Sequence, residues 1–345
     1  MQGYKVYISG ESYAGMYCPY IANAMLNTND TTYHQLSAMY LGDAVIGDNT
    51  QLYQSIPMLR FVEYHSPLFP FNNTFLDKIR TTDAECGYSS LLDNHLVYPP
   101  ISHLPSTLPE VSENGTVTEE CTSLWWWILE AALRLNPCFD MYHITASCPR
   151  VSDVLGFLAG IHYIPEGEKR YLDRGDVKAA IHAPRNVTWE DGSGPSIIHA
   201  LPSVIDKTQN VIIVHGQLDM VLPSNGSLLA IQNMTTGPSE PFYVPDTNVV
   251  GENKVAIGGE GVLGSMVSER ELTWVGVNLA GHMLVEAQPG ASYRQLEYLL
   301  GRVDCMNCTT SFTVGHLYYS DQAPNEMGEG TAPQSWSDHK PEERL

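Results

Sequence analysis

The residues with the most chemical meaning come early, in Gly10-Glu11-Ser12-Tyr13-Ala14-Gly15, between an alternating apolar run (residues 4–9) and a helical pattern (residues 14–26). A serine on a sharp strand-to-helix turn has its Oγ thrust away from the backbone, and the turn accepts only small residues two positions to either side. Gly10 and Ala14 meet that need. The helix starting behind the serine offers oriented N–H groups, so the amide of Tyr13 is the expected donor to an oxyanion developing beside Ser12. A serine hydroxyl is a weak nucleophile until a histidine takes its proton, and the histidine needs a carboxylate to fix its tautomer. Two further strand ends supply these groups. Asp219 closes His215-Gly216-Gln217-Leu218-Asp219 after the apolar residues 210–214, and His282 follows Ala280-Gly281 after residues 272–279. Asp206 and Asp246 lack such a placement, and no other histidine combines a strand-end glycine with this position in the chain.

The elements that must position these groups read as strands separated by helical segments. Residues 39–46 form the next expected strand, ending in Gly47-Asp48-Asn49, and residues 289–300 fit a closing helix with Pro289 at its start and Tyr293, Leu296, Leu299 and Leu300 on one face. Such alternation predicts an α/β fold: a mainly parallel sheet with helices on both faces, interrupted by a long excursion. The expected division is a first core part with the nucleophile turn (1–59), an inserted cap with a cysteine cluster (60–158), a second core part with Asp219 and His282 (159–320) and a disordered tail (321–345) rich in Pro, Gly, Glu and Ser. In the cap, Trp125, Trp126 and Trp127 cannot share one helical face. Packing between cap and core is the favoured reading over an apolar wall above a substrate cleft.

Composition narrows the possible partners. A formal net charge of -21 leaves no broad basic surface for phosphates, which argues against nucleic acid, and a pI near 4.8 suits an acidic compartment. Four of the seven cysteines (18, 86, 121, 138, 148, 305 and 308) cluster between Cys86 and Cys148, which favours local disulfides over metal binding. Cys305-Met-Asn-Cys308 follows an expected helix instead of opening one and has no second Cys/His pair nearby, which argues against a redox or zinc role. For Cys18, a buried thiol competes with a disulfide partner outside the chain. Sequons begin at Asn29, Asn72, Asn114, Asn186, Asn225, Asn233 and Asn307, consistent with the secretory pathway. No signal peptide opens the chain, and the most apolar later stretch, residues 124–135, contains Glu130 and Arg134 and is too short to span a bilayer, so no membrane anchor is expected.

Gly10-Glu11-Ser12-Tyr13-Ala14-Gly15, Gly216-Gln217-Leu218-Asp219 and Gly281-His282-Met283 resemble the three catalytic motifs of serine carboxypeptidases, and the segment from Tyr171 to His182 resembles the one leading into that family's cap-core junction. The likeness extends to about Val303. It implies an α/β-hydrolase fold with its triad in the order Ser, Asp, His, an acyl-enzyme mechanism at acidic pH, and C-termini of peptides or proteins as substrates. It also implies residence in a secreted or vacuolar compartment, and the mechanism expected of Ser12, Asp219 and His282 requires no metal or organic cofactor. Within this pattern Glu11 belongs to an acid cluster whose protonated form donates to the substrate carboxylate, whereas its ionised form would repel it. Met283 is placed to line the pocket of the leaving residue, with ordinary core packing as the alternative. The family's upstream strands and glycine-rich oxyanion loop have no counterpart before Gly3, while Gly258-Gly259-Glu260-Gly261 reads as a flexible loop. The expectation is therefore a chain that begins partway through the hydrolase domain, without its N-terminal strands, and is inactive when expressed from Met1. Acyl transfer on the same scaffold and a non-catalytic fragment are the competing readings.

Overall fold

The computed structural model describes residues 3–30, 32–47, 54–97, 104, 118–146, 173–183, 191–208, 210–236, 240–241, 254–257, 261–307 and 312–313. Its strands are β1 (Val6–Glu11), β2 (Leu36–Gly42), β3 (Val211–Gly216), β4 (Thr235–Thr236), β5 (Glu240–Pro241), β6 (Lys254–Ile257), β7 (Gly261–Glu269) and β8 (Leu272–Val277). Six of them make one sheet in the order β1-β2-β3-β8-β7-β6, while β4 and β5 pair separately. From β1 through β8 the pairing is parallel, and β7 and β6 join antiparallel beyond β8. The sequence gives no sign of that antiparallel extension, because the glycines around residue 260 read as a loop.

Burial follows position in the sheet. Val211-Ile212-Ile213-Val214 and Leu272-Thr273-Trp274-Val275 are buried at every residue, as continuous apolar strands covered on both faces should be. β1 lies at the edge and is only half-buried. The helices are α1 (Ala14–Asn27), α2 (Met58–Tyr64), α3 (Asn73–Cys86), α4 (Tyr88–His95), α5 (Glu119–Leu135), α6 (Gly175–Ala180), α7 (Ser196–His199), α8 (Leu201–Thr208), α9 (Ser224–Asn233), α10 (Leu284–Ala287) and α11 (Pro289–Leu299). Ser196 Oγ ties α7 to α1 by donating to the Gly15 carbonyl at 2.6 Å, and Tyr40 Oη reaches from β2 to Gln295 on α11 at 3.1 Å. Pro19 sits inside α1, and Pro289 opens α11 at the position where its missing N–H costs nothing.

Residues 1–310 group into one compact unit that includes the excursion helices. A disulfide joins Cys86, the last residue of α3, to Cys121 in α5, and Cys138 and Cys305 are also disulfide-bonded. Cys18 is free among the described residues, and it is buried. Trp125 is buried and donates its indole N–H to the Met220 carbonyl at 3.0 Å, which is the packing role favoured for it; Trp126 is exposed, and Trp127 carries Lys78 Nζ 3.5 Å from its ring centre. Among the described residues no helix is long and apolar enough to cross a membrane. Asn114, Asn186, Asp246, Cys148, Cys308, much of the segments at 98–117 and 147–172, and the tail from 321 lie outside the described residues.

Candidate active site

Ser12 is the first residue after β1, with φ of 59°, a left-handed backbone that costs a non-glycine residue energy and persists only where surroundings impose it. Three backbone bonds impose it here. The Ser12 N–H donates to Gly42 at 2.9 Å, and its carbonyl accepts from Gly15 at 3.0 Å and from Val45 at 2.9 Å. A Cβ on Gly10 would stand 2.5 Å from the Ala14 Cβ and 2.6 Å from Cys18 Sγ, so the requirement for small flanking residues is met by contact as well as by pattern. The turn leads directly into α1, and among the described residues no acceptor takes the N–H of Tyr13, which leaves it available to an oxyanion. The Tyr13 ring is held off to the side, its hydroxyl donating to Asp191 Oδ2 at 3.0 Å.

Asp219 and His282 meet. His282 Nδ1 lies 2.7 Å from Asp219 Oδ2, with Asp219 fully buried and His282 nearly so. The second oxygen of Asp219 accepts the Val221 N–H at 2.8 Å. Two interlocked loops fix the pair: Leu218 N–H donates to Ala280 at 2.8 Å and Gln217 N–H to Val277 at 3.0 Å. A Cβ on Gly216 would strike the carbonyls of Gly281 and Ala280, so glycine at 216 permits this approach of two backbones. Burial disfavours charge on the His282 ring. The bond to Asp219 and its negative charge outweigh that cost, so the imidazole holds its proton above the usual histidine range. The ring makes no hydrogen bond to Ser12 Oγ among the described residues, a separation common in unliganded sites of this kind.

Glu11 ends β1 opposite Gly42 and is half-buried; desolvation, opposed by His282 and reinforced by Asp219, raises its carboxyl above the usual range. Met283 stands next to His282 and is 50% exposed, so it does not belong to the packed core.

Several groups at this site escape a sequence reading. The apolar pattern predicts a second strand running through residue 46, but β2 ends at Gly42, so the acid at its tip is Asp43, not Asp48, which lies outside the described residues. Asp43 and His215 are both completely buried, with His215 Nδ1 3.2 Å from Asp43 Oδ1. Burial lowers the His215 imidazole to about 4. Asp43, Asp219 and His282 bring one ligand-type atom each within 4.8 Å of one another, although a cation there would compete with the 2.7 Å bond between the last two. The segment around residue 142 carries no sequence signal at all: its carbonyl at Tyr142 accepts the His282 N–H at 2.7 Å, and Met141 accepts from Met220 at 2.9 Å. Nothing in its composition distinguishes it from any other loop.

A serine at the tip of an edge strand and an Asp–His pair at the ends of two central strands of the same sheet lie where an α/β-hydrolase would place its nucleophile and its acid–base pair. The family model for serine carboxypeptidases matches residues 1–302. The chain belongs to the serine carboxypeptidase family. It is 43% identical over 325 residues to a "Probable serine carboxypeptidase" of Arthroderma benhamiae, covering 88% of this chain and 59% of that protein. It is 37% identical to "Serine-type carboxypeptidase F" of Aspergillus niger, covering 89% of this chain and 62% of that one. This serine carboxypeptidase chain thus spans about three-fifths of the length of those relatives. A crystal structure of a prohormone-processing carboxypeptidase from Saccharomyces cerevisiae superposes with a TM-score of 0.55 at 19% identity, over 89% of this chain and 65% of that one, and it shares the α/β-hydrolase fold.

Proposed function

We propose that the protein is a serine carboxypeptidase that releases C-terminal residues from peptides through an acyl-enzyme. The observation that carries this reading is the 2.7 Å bond between His282 and Asp219, set on the same sheet as the strained Ser12 turn. Ser12 Oγ attacks the last peptide carbonyl while His282 takes its proton, and the Tyr13 N–H receives the oxyanion. His282 returns the proton to the leaving amine, and a water deprotonated by the same ring then releases the shortened peptide. Asp219 holds the proton-bearing Nδ1 throughout and balances the imidazolium.

Glu11 directs this chemistry to the chain terminus. Its raised affinity for a proton lets it donate to the substrate carboxylate, and Met283, exposed beside His282, contacts the departing residue. In this reading residues 60–158 cover the site as a cap, and the sequons and disulfides support residence in the secretory pathway, secreted or vacuolar.

The test is release of a free amino acid from an N-blocked dipeptide, followed by mass spectrometry, for the wild-type protein and Ser12→Ala. Release is expected from the first alone. Equal release by Ser12→Ala, or cleavage within a longer peptide without loss of its terminal residue, would rule the reading out.

A further inference from the structure

Asp43 has no part in the reaction just described, yet its surroundings tie it to that reaction. It follows β2 directly, with φ of 38°, and its N–H donates to Val214 at 2.8 Å, extending the pairing with β3. Its Oδ1 accepts the N–H of Gly216 at 2.9 Å, at the start of the turn that carries Asp219. Its Oδ2 is buried and makes no hydrogen bond among the described residues. The carboxyl lies within 4.8 Å of both Asp219 and His282.

We propose that Asp43 is a positioning residue for the Asp219–His282 pair: a buried carboxyl, kept neutral, that anchors the Gly216 turn and so sets where the Asp219 carboxylate stands. Two carboxylates this close and this far from water do not both ionise cheaply, and the hydrogen bonds decide which one carries the charge. Asp219 accepts through both oxygens, from Val221 and towards His282, whereas Asp43 accepts through one. The remaining titratable groups around Asp43 act in both directions, and burial with the charge on Asp219 prevails. Glu11 from β1 adds to the repulsion, Tyr40 on β2 stays protonated because it is buried, and His215 is neutral above about 4; His282 and the N–H of Gly216 oppose. Burial and the charge on Asp219 together raise the Asp43 carboxyl well above the usual range.

The proposal rests on the hydrolytic reading of Ser12, so its test uses a reaction that needs Ser12 and His282 but no peptide. In the full chain, the rate of Ser12 labelling by a fluorophosphonate would be measured against pH for wild type, Asp43→Asn and Asp43→Leu. Asn keeps the acceptor for Gly216 and mimics the neutral acid; Leu removes both. Asp43→Leu is expected to label about 10- to 100-fold more slowly, as a misplaced catalytic pair does. Asp43→Asn should rescue most of that loss and keep the acid limb within about 0.3 pH unit of wild type, since no charge has been removed. A shift of the acid limb by about one unit or more in Asp43→Asn would show that Asp43 is ionised, and wild-type labelling by Asp43→Leu would show that it positions nothing; either overturns the proposal. Should Asp43→Leu fail to fold, the acid limb of Asp43→Asn decides alone. A protein that labels at Ser12 with these variant effects but releases no C-terminal residue would remove the peptidase reading and leave the role of Asp43 standing.

Discussion

At the scale of single residues, the site depends on which groups hold protons. In the proposed mechanism His282 must be neutral to accept the Ser12 proton, and its bond to Asp219 raises the pH at which it becomes neutral. In the proposed role Glu11 must be protonated to donate to a substrate carboxylate, and burial raises the pH up to which that holds. The two demands bound activity from opposite sides. Hydrolysis of free-acid peptides is expected to fall at low pH as His282 takes a proton and to fall again at higher pH as Glu11 loses one. Matched C-terminal amides need no donor from Glu11, so they should keep the first limb and lack the second. Identical profiles for acid and amide substrates would contradict the role of Glu11. Replacing Asp219 by Asn leaves shape and volume in place but removes the anion that orients Nδ1. Turnover should drop by roughly 10³- to 10⁴-fold with the far-ultraviolet circular dichroism unchanged, and a loss below about tenfold would point to another acid.

At the scale of elements, the strand-turn-helix from Val6 to Asn27 is legible in the sequence because each local preference agrees: alternation in the strand, small residues at the turn, and a helix period behind it. A methyl group on Gly10 must displace Ala14 or Cys18, so Gly10→Ala is expected to destabilise the fold by about 1–3 kcal/mol in urea denaturation, and a neutral effect would contradict the packing of the turn. The end of β2 is not legible. Ala44, Val45 and Ile46 continue its apolar character, and only the backbone's change of direction at Asp43, set by the bond from Val45 N–H to the Ser12 carbonyl, ends the strand. Periodicity records which residues are buried, not whether they are buried in a strand, and Ala44 and Ile46 are both fully buried. The Cys86–Cys121 disulfide closes 35 residues between α3 and α5. Replacing both cysteines by Ala should cost about 3–4 kcal/mol by the loop-entropy relation, measurable as a lower denaturation midpoint.

At the scale of the molecule, the parallel strands and the order of Ser12, Asp219 and His282 can be read from sequence because they follow from strand ends in a single chain direction. What brings them into register cannot, since it depends on segments with no periodic signal. The loop at 141–144 ties together the backbones that carry Asp219 and His282, and Trp125 from α5 bonds the Met220 carbonyl one residue beyond Asp219. Trp125→Phe keeps most of the ring but leaves that buried carbonyl unpaired, so about 1–3 kcal/mol of stability should be lost together with some turnover. In the proposed function Ser12 is the nucleophile that this whole arrangement serves. The most direct test is to treat the protein with a fluorophosphonate, digest it, and locate the adduct by tandem mass spectrometry. One adduct is expected, on Ser12, and it should disappear in His282→Ala; an adduct on a different residue, or undiminished labelling without His282, would show that Ser12 is not the nucleophile.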